Sequence, residues 1–469
     1  MRRHALPAVL VLLAILSGFV ALQAPDEAGG ASGDGLEIPR LQTPVLSARR
    51  VPDLLVRTVG TQRLRAELDA ILADPQLGPA RSASCLIVES QGHRLYEARG
   101  DVALIPASTL KVLTAAAALS AFGPDATFTT DVRASKPPVD GVVDGDIYLV
   151  GGGDPLLSTG DYLATLRNQP QIATRFEAIA DAIVAAGIRE VRGRVVGDHS
   201  RYDDQRLFPT WKPEYVADGD VGPVDALVLN DGFLNYRPLV RDTIAADPAA
   251  HAAGGLALLL QARGVPVAGG AGSGVSPAGA TTIVSVASPP MREVVAEMLT
   301  ESDNNTAEIL TKELGFRAFG QGTWERGIEA RAQALARAGL PVGGFVGVDG
   351  SGLDRRNRLT CALLQAALND GGEPLAEGFA VAARTGTLST RFVGTPVAGK
   401  LRGKTGSLRE VVSLTGYVEG KERVGFSLVL NDLPRDRFGF GVQERVAAAL
   451  LTYPQAPPAA DLAPLPVQR

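Results

Sequence analysis

Pro106-Ala107-Ser108-Thr109-Leu110-Lys111 runs directly into Val112-Leu113-Thr114-Ala115-Ala116-Ala117-Ala118-Leu119. The run after Pro106 reads as a helix that is apolar almost all round, because Leu110, Leu113, Ala117 and the alanines between them leave no polar stripe. Such a helix is expected inside the protein. A lysine within it needs a reason. Ser108 and Lys111, three residues apart, share one face near the helix start. There an amine and a hydroxyl can hydrogen-bond, and backbone N–H groups point at whatever sits above the serine. That suits a serine nucleophile whose base is a lysine. For an isolated Ser-x-x-Lys, a helix with an N-terminal serine and a snorkelling lysine is the commoner reading, so the rest of the chain decides.

Composition sharpens the lysine. Only seven of the 46 basic residues are lysine, and Lys111 and Lys404 are two of them. Arginine stays protonated, whereas lysine can be tuned to give up its proton. The 469 residues call for two or three domains, with 45% apolar and 21% charged residues as in globular proteins. A net charge of -5 gives no reason to expect nucleic acid. His4, His93, His199 and His251 form no metal-ligand pattern. Cys85 and Cys361 form no Cys-x-x-Cys pair and are expected as two buried thiols, with a bridge as the lesser alternative.

Met1-Arg2-Arg3 followed by an apolar stretch to about Leu22 reads as an export signal. Pro25 after Ala24 should hinder cleavage, and the stretch is nearly long enough to span a membrane. Residues 1–24 are therefore a cleaved signal or an anchor to the cytoplasmic membrane, with the body of the protein in the periplasm or cell wall. Residues 25–60, rich in Gly, Pro, Ala and Asp, read as a flexible linker, and 454–469 as a disordered tail.

Between these ends the patterns predict a helix over 62–73, then strands over 84–89 and 94–97 around the turn Gln91-Gly92. Strand-like alternation over 127–153 ends in Gly151-Gly152-Gly153-Asp154-Pro155, which reads as a tight turn because no Gly-Lys-Ser/Thr follows. Helices are expected over 175–186, 252–264, 291–299, from Thr306, and over 326–338, 360–368 and 442–451. Strands are expected over 191–197 and 241–245. Lys404-Thr405-Gly406 leads into an antiparallel hairpin of 411–418 and 424–430.

Three short strings thus stand in order: Ser108-Thr109-Leu110-Lys111, Ser302-Asp303-Asn304 and Lys404-Thr405-Gly406. Together they resemble the motif set of penicillin-binding proteins and serine β-lactamases. The longer matching stretches are 105–119, 151–155, 302–308, Asp349-Gly350-Ser351-Gly352-Leu353, Gly386-Thr387-Leu388 with Arg391, and 404–418. They resemble the class C low-molecular-mass penicillin-binding proteins, the D-alanyl-D-alanine carboxypeptidase/endopeptidase family (penicillin-binding protein 4-like). About 190 residues separate Ser108 from Ser302, more than a simple β-lactamase fold requires.

The resemblance implies an α+β fold: a transpeptidase-like domain with an antiparallel sheet flanked by helices, and an inserted mixed α/β domain. The catalytic domain is placed at 61–127 and 287–453 and the insert at 128–286. A further domain nested in the family's insert is expected to be reduced or absent here, because the chain passes quickly from Asn230-Asp231-Gly232 to Asp247-Pro248. The implied chemistry is acyl transfer from stem peptides ending in D-Ala-D-Ala, with β-lactam antibiotics as inhibitors, and it needs no metal or organic cofactor. Ser108 is the implied nucleophile and Lys111 its base, with a proton affinity lowered by burial and by Lys404. Ser302 relays a proton to the leaving amine, and Asn304 holds the substrate amide and Lys111. Lys404, Thr405 and Ser407 bind the terminal carboxylate, and Gly406 lets the substrate lie along the strand. The backbone N–H groups of Ser108 and Ser407 form the oxyanion hole. The alternatives are a serine β-lactamase, disfavoured by the long insert, and a catalytically idle cell-wall scaffold, disfavoured by the intact strings.

Overall fold

Strand-forming runs from both ends of the chain meet in one six-stranded antiparallel sheet. The computed structural model describes residues 51–238 and 240–455, and from Leu54 onward these belong to one compact unit. Helix α1 (Val51–Leu72) precedes β1 (Ser84–Ser90) and β2 (His93–Ala98), and a short 3-10 turn, Ala107–Leu110, leads into α2 (Lys111–Phe122). Then come β3 (Thr129–Ala134), β4 (Ile147–Val150), α3 (Phe176–Ala185), β5 (Val195–Asp198), α4 (Pro248–Ala262), β6 (Ala271–Ser273) and β7 (Thr281–Ala287). The last third holds α5 (Met291–Glu301), α6 (Asn304–Phe319), α7 (Trp324–Arg337), α8 (Cys361–Glu377), β8 (Ala380–Val381), β9 (Leu401–Leu408), β10 (Val411–Glu419), β11 (Arg423–Leu430) and α9 (Asp436–Thr452).

The large sheet has the order β8-β9-β10-β11-β1-β2. Both of its faces are covered, which explains why its strands read as near-continuous apolar runs. On β1, Leu86 and Val88 pack with Leu64, Leu68 and Ile71 of α1 and Val442 and Val446 of α9. Cys85 and Ile87, pointing the other way, pack with Leu113 of α2, Met298 of α5, Leu310 of α6 and Leu364 of α8. The helix after Ser108 is thus buried between the sheet and other helices, as its alanine-rich surface demands.

The second sheet, β6-β5-β4-β3-β7, is mixed: β6, β5 and β4 run parallel, and β3 and β7 are antiparallel additions. Its core includes Phe176 and Ile179 of α3 and Leu256 and Leu260 of α4. All of these strands fall between residues 129 and 287, the segment expected as an insert. Where a nested domain would sit, between Asn230 and Pro248, the described residues form a short turn and the hairpin Phe233–Arg237/Val240–Ile244.

Three expectations need correction. Cys85 and Cys361 are not free thiols but a disulfide with Cα atoms 5.9 Å apart, tying β1 to the start of α8. Nothing in two lone cysteines 276 positions apart reveals that they meet; packing of α8 on the sheet brings them together. The linker does not extend to residue 60, because α1 begins at Val51, with Pro52 in its first turn where a missing N–H costs nothing. Gly60, a helix-breaking signal in the sequence, is buried within that helix. Helix α8 runs past Leu368 to Glu377, accommodating Pro374 by breaking regular geometry at Gly372, φ 53°. The N-terminal apolar segment, the linker before Val51 and the tail beyond Gln455 lie outside the described residues. Among the described residues no helix is long and apolar enough to cross a membrane.

The bridge closes a very long loop, so its removal should lower the unfolding free energy by about 2–4 kcal/mol. Urea unfolding of Cys85→Ser/Cys361→Ser against the parent chain measures this. Two thiols titratable in the unreduced, denatured parent would contradict the bridge.

Candidate active site

The apolar helix α2 cannot hide an amine without acceptors, and the fold supplies them. Lys111 is wholly buried. Its Nζ donates to Ser108 Oγ at 3.1 Å, Asn304 Oδ1 at 2.6 Å and the Ser351 carbonyl at 2.9 Å. An ammonium has three donors, and here each finds one acceptor. Burial lowers its pKa to about 8, against the opposing fields of Glu308, Asp303, Asp349 and Asp220. The amine is therefore poised to lose its proton close to neutral pH, as a base for a hydroxyl requires.

Ser108 sits half-buried in the 3-10 turn ahead of α2. Ala107 before it has φ 50°, unusual for a residue with a side chain. Thr109 Oγ1 and Ser413 Oγ both donate to the Pro106 carbonyl, at 2.8 and 2.6 Å, pinning this turn to β10. Ser302 follows α5 in the left-handed region, φ 63°, and Asp303 caps α6 by accepting the Thr306 N–H at 2.7 Å. The sharp reversal places Ser302 and Asn304 at one helix junction. Asn304 Nδ2 donates to the Asp220 carbonyl at 2.7 Å, which fixes the amide so that its oxygen faces Lys111.

Lys404, also wholly buried, donates to Ser302 Oγ and to the Thr405 carbonyl, each at 2.7 Å. Burial and the Lys111 ammonium push its pKa well below the ordinary value. The carboxylates facing Lys111 oppose the effect of burial there, whereas at Lys404 burial and a neighbouring ammonium act in the same direction. Thr405 Oγ1 donates to Thr387 Oγ1 at 2.9 Å, linking the strand to the Gly386–Leu388 turn. Strand β8 pairs with β9 only at Gly403 and Arg402, so the edge from Lys404 to Leu408 has no strand partner on that side among the described residues.

Gly406 has a steric role besides the one expected. A Cβ there would lie 2.2 Å from Ser413 Oγ and 3.0 Å from the Ser108 backbone nitrogen. It lets β9 approach the turn that carries Ser108. Gly352, φ 90°, does the same on the opposite side, where a Cβ would come within 2.0 Å of the Ala107 carbonyl oxygen.

The structure thus brings the three strings to one cleft of about 500 Å³, whose walls include Ser108, Ser302, Asn304, Leu353, Thr387 and Ser407. Sequence reasoning missed the Ser351 carbonyl, the Asp220 carbonyl and Thr387. Two of them lie in quoted strings without an assigned role. The Asp220 contact, made through backbone, has no side-chain signature. Among the described residues no group of three or more His, Cys, Asp or Glu side chains is arranged to hold a metal ion.

Residues 64–242 and 235–439 match the family described as D-Ala-D-Ala carboxypeptidase 3 (S13). The chain is 31% identical over 487 residues to D-alanyl-D-alanine carboxypeptidase of Actinomadura sp. (strain R39), covering 86% of this chain and 88% of that protein. It is 33% identical over 396 residues to carboxypeptidase DacB of Mycolicibacterium smegmatis, covering 81% and 82%. Penicillin binding protein 4 from Haemophilus influenzae shares its fold, with a TM-score of 0.67 at 20% identity over 79% of this chain and 96% of that one.

Acylation of Ser108 by an activated ester should rise with pH to a plateau, with its midpoint near the Lys111 value of about 8, since only the neutral amine can take the proton. Lys111→Met should cost about 100- to 10,000-fold and flatten this profile. A rate that does not vary with pH in the parent chain would remove Lys111 as the base.

Proposed function

The chain belongs to the D-Ala-D-Ala carboxypeptidase 3 (S13) family, and from that premise we propose that it is a serine D-alanyl-D-alanine carboxypeptidase and/or endopeptidase acting on peptidoglycan stem peptides. The observation that carries this reading is the contact of Lys111 Nζ with Ser108 Oγ in the same cleft as the Lys404–Ser302 contact. One pair can activate a nucleophile, and the other can protonate a leaving group.

In the proposed sequence Lys111 takes the proton as Ser108 Oγ attacks the carbonyl of the D-Ala-D-Ala bond. The tetrahedral oxygen is received by the backbone N–H groups of Ser108 and Ser407, donors of a kind whose loss typically costs about 100- to 1,000-fold. Ser302 passes its proton to the departing D-alanine amine and takes one from Lys404 at 2.7 Å; when water hydrolyses the acyl-enzyme, its proton returns to the Ser302–Lys404 pair and Lys111 returns its own to Ser108 Oγ. The open edge of β9 suits a peptide added as an extra strand, with Thr405 and Ser407 beside it. A terminal carboxylate arriving near Lys404 would favour the charged amine, which burial and Lys111 oppose. The same chemistry accounts for acylation of Ser108 by β-lactams.

The proposed catalytic domain comprises 61–127 and 287–453, with 128–286 as an insert. The insert contributes to the site through the Asp220 carbonyl on Asn304, and Gly222 N–H donates to Asn305 Oδ1 at 2.8 Å. An extracytoplasmic location, by a signal or anchor within residues 1–24, is supported by the buried disulfide, which suits an oxidising compartment.

The test is incubation with a D-Ala-D-Ala pentapeptide and with a cross-linked dimer, scored for free D-alanine and for released monomer. Ser108→Ala should abolish both products and covalent labelling by benzylpenicillin. Persistent hydrolysis in that variant would overturn the nucleophile. Rapid turnover of benzylpenicillin by the parent chain, with no stable adduct, would favour a β-lactamase.

A further inference from the structure

One buried carboxylate outside the three strings underlies the site. Glu308, in the second turn of α6, is wholly buried and receives only donors. The Gly350 N–H lies 3.0 and 2.9 Å from its two oxygens, the Ser351 N–H 2.7 Å from Oε1, and Trp324 Nε1–H 2.7 Å from Oε2. The following peptide is pinned at both ends. Its N–H, from Gly352, donates to Asp349 Oδ1 at 2.9 Å, and its carbonyl, from Ser351, accepts from Lys111 Nζ at 2.9 Å. The Gly350 carbonyl accepts from Thr114 Oγ1 of α2 at 2.8 Å, and Thr114 in turn accepts from buried Arg331 at 2.9 Å. The loop that offers Lys111 its third acceptor is therefore tied on every side, and Glu308 ties two consecutive backbone N–H groups of it.

We infer that Glu308 is a positioning residue for acylation: it clamps the Gly350–Ser351 backbone so that the Ser351 carbonyl aims the Lys111 amine at Ser108, and its buried charge sets the field in which that amine works. This rests on Lys111 acting as the base. The charged groups facing Lys111 are Glu308 in α6, Asp303 at its cap, Asp349 in the loop, Asp220 from the insert and Lys404 on β9. Burial and Asp349 push the Glu308 carboxyl up to about 7, while its N–H donors favour the anion. The anion in turn favours the protonated amine at Lys111.

Glu308→Gln removes the charge and turns an amide N–H toward either the loop donors or Trp324. Acylation by benzylpenicillin, followed by intact mass across a pH series on the full chain, reads both consequences. The plateau rate should fall tenfold or more, and the acid limb should move to lower pH because Lys111 loses an anion that holds its proton. An unmoved limb, with or without a lower plateau, would mark Glu308 as packing only and overturn the inference. Should that variant not fold, Trp324→Phe removes one donor while keeping most of the ring. It should lower the plateau several-fold and move the acid limb to lower pH, because a carboxyl with one donor fewer ionises less readily; an unmoved limb overturns the inference. A parent chain that takes no label refutes the proposed function itself. A labelled parent with an unmoved variant refutes only the role of Glu308.

Discussion

A lysine ammonium wholly removed from water is tolerated only when every proton has an acceptor, and this requirement at Lys111 organises the molecule. Its three acceptors come from three separate places: the turn that precedes its own helix, the start of α6, and the Ser351 carbonyl of the loop following α7. Bringing these to one point forces α2, α6 and the loop together. The same burial that demands the acceptors also lowers the amine's hold on its proton. Structural cost and chemical use are thus two sides of one desolvation.

The sheet provides the opposite wall. Strand β9 comes close to the turn that carries Ser108. Gly406 makes this possible by having no Cβ to collide with Ser413 or the Ser108 backbone. The segment between the first two strings completes the site. It supplies the carbonyl that fixes Asn304, and its Trp211 and Val221 pack against Ile309 and Trp324 beside the catalytic layer. This segment is therefore joined to the start of α6 through its own backbone.

Much of this was legible in the chain. The run from Ser108 to Leu119 identified a buried helix because alanine and leucine surround its lysine, and the β1–β2 turn at Gln91-Gly92 is formed by two residues of positive φ. Features that depend on distant partners were not legible. Cys85 and Cys361 gain their meaning from the packing of α8 on β1. Glu308 appeared as one polar residue in a helical run, and only the fold reveals that it receives backbone N–H groups from residues 350 and 351. The strand at Phe233–Arg237 is defined by its pairing with Val240–Ile244 rather than by an alternating pattern of its own. The carboxylates that face Lys111 come from α6, its cap, the loop after α7 and the segment around Asp220, and no pattern in the chain shows that they meet there.

The account stands on Ser108 as the point where the three strings act together. Its most direct test is a crystal structure of the chain trapped with a β-lactam or a peptide boronate. Continuous density from Ser108 Oγ, with the adduct oxygen about 3 Å from the backbone nitrogens of both Ser108 and Ser407, is the predicted result. Density on any other side chain, or an oxygen turned away from those two nitrogens, would contradict it.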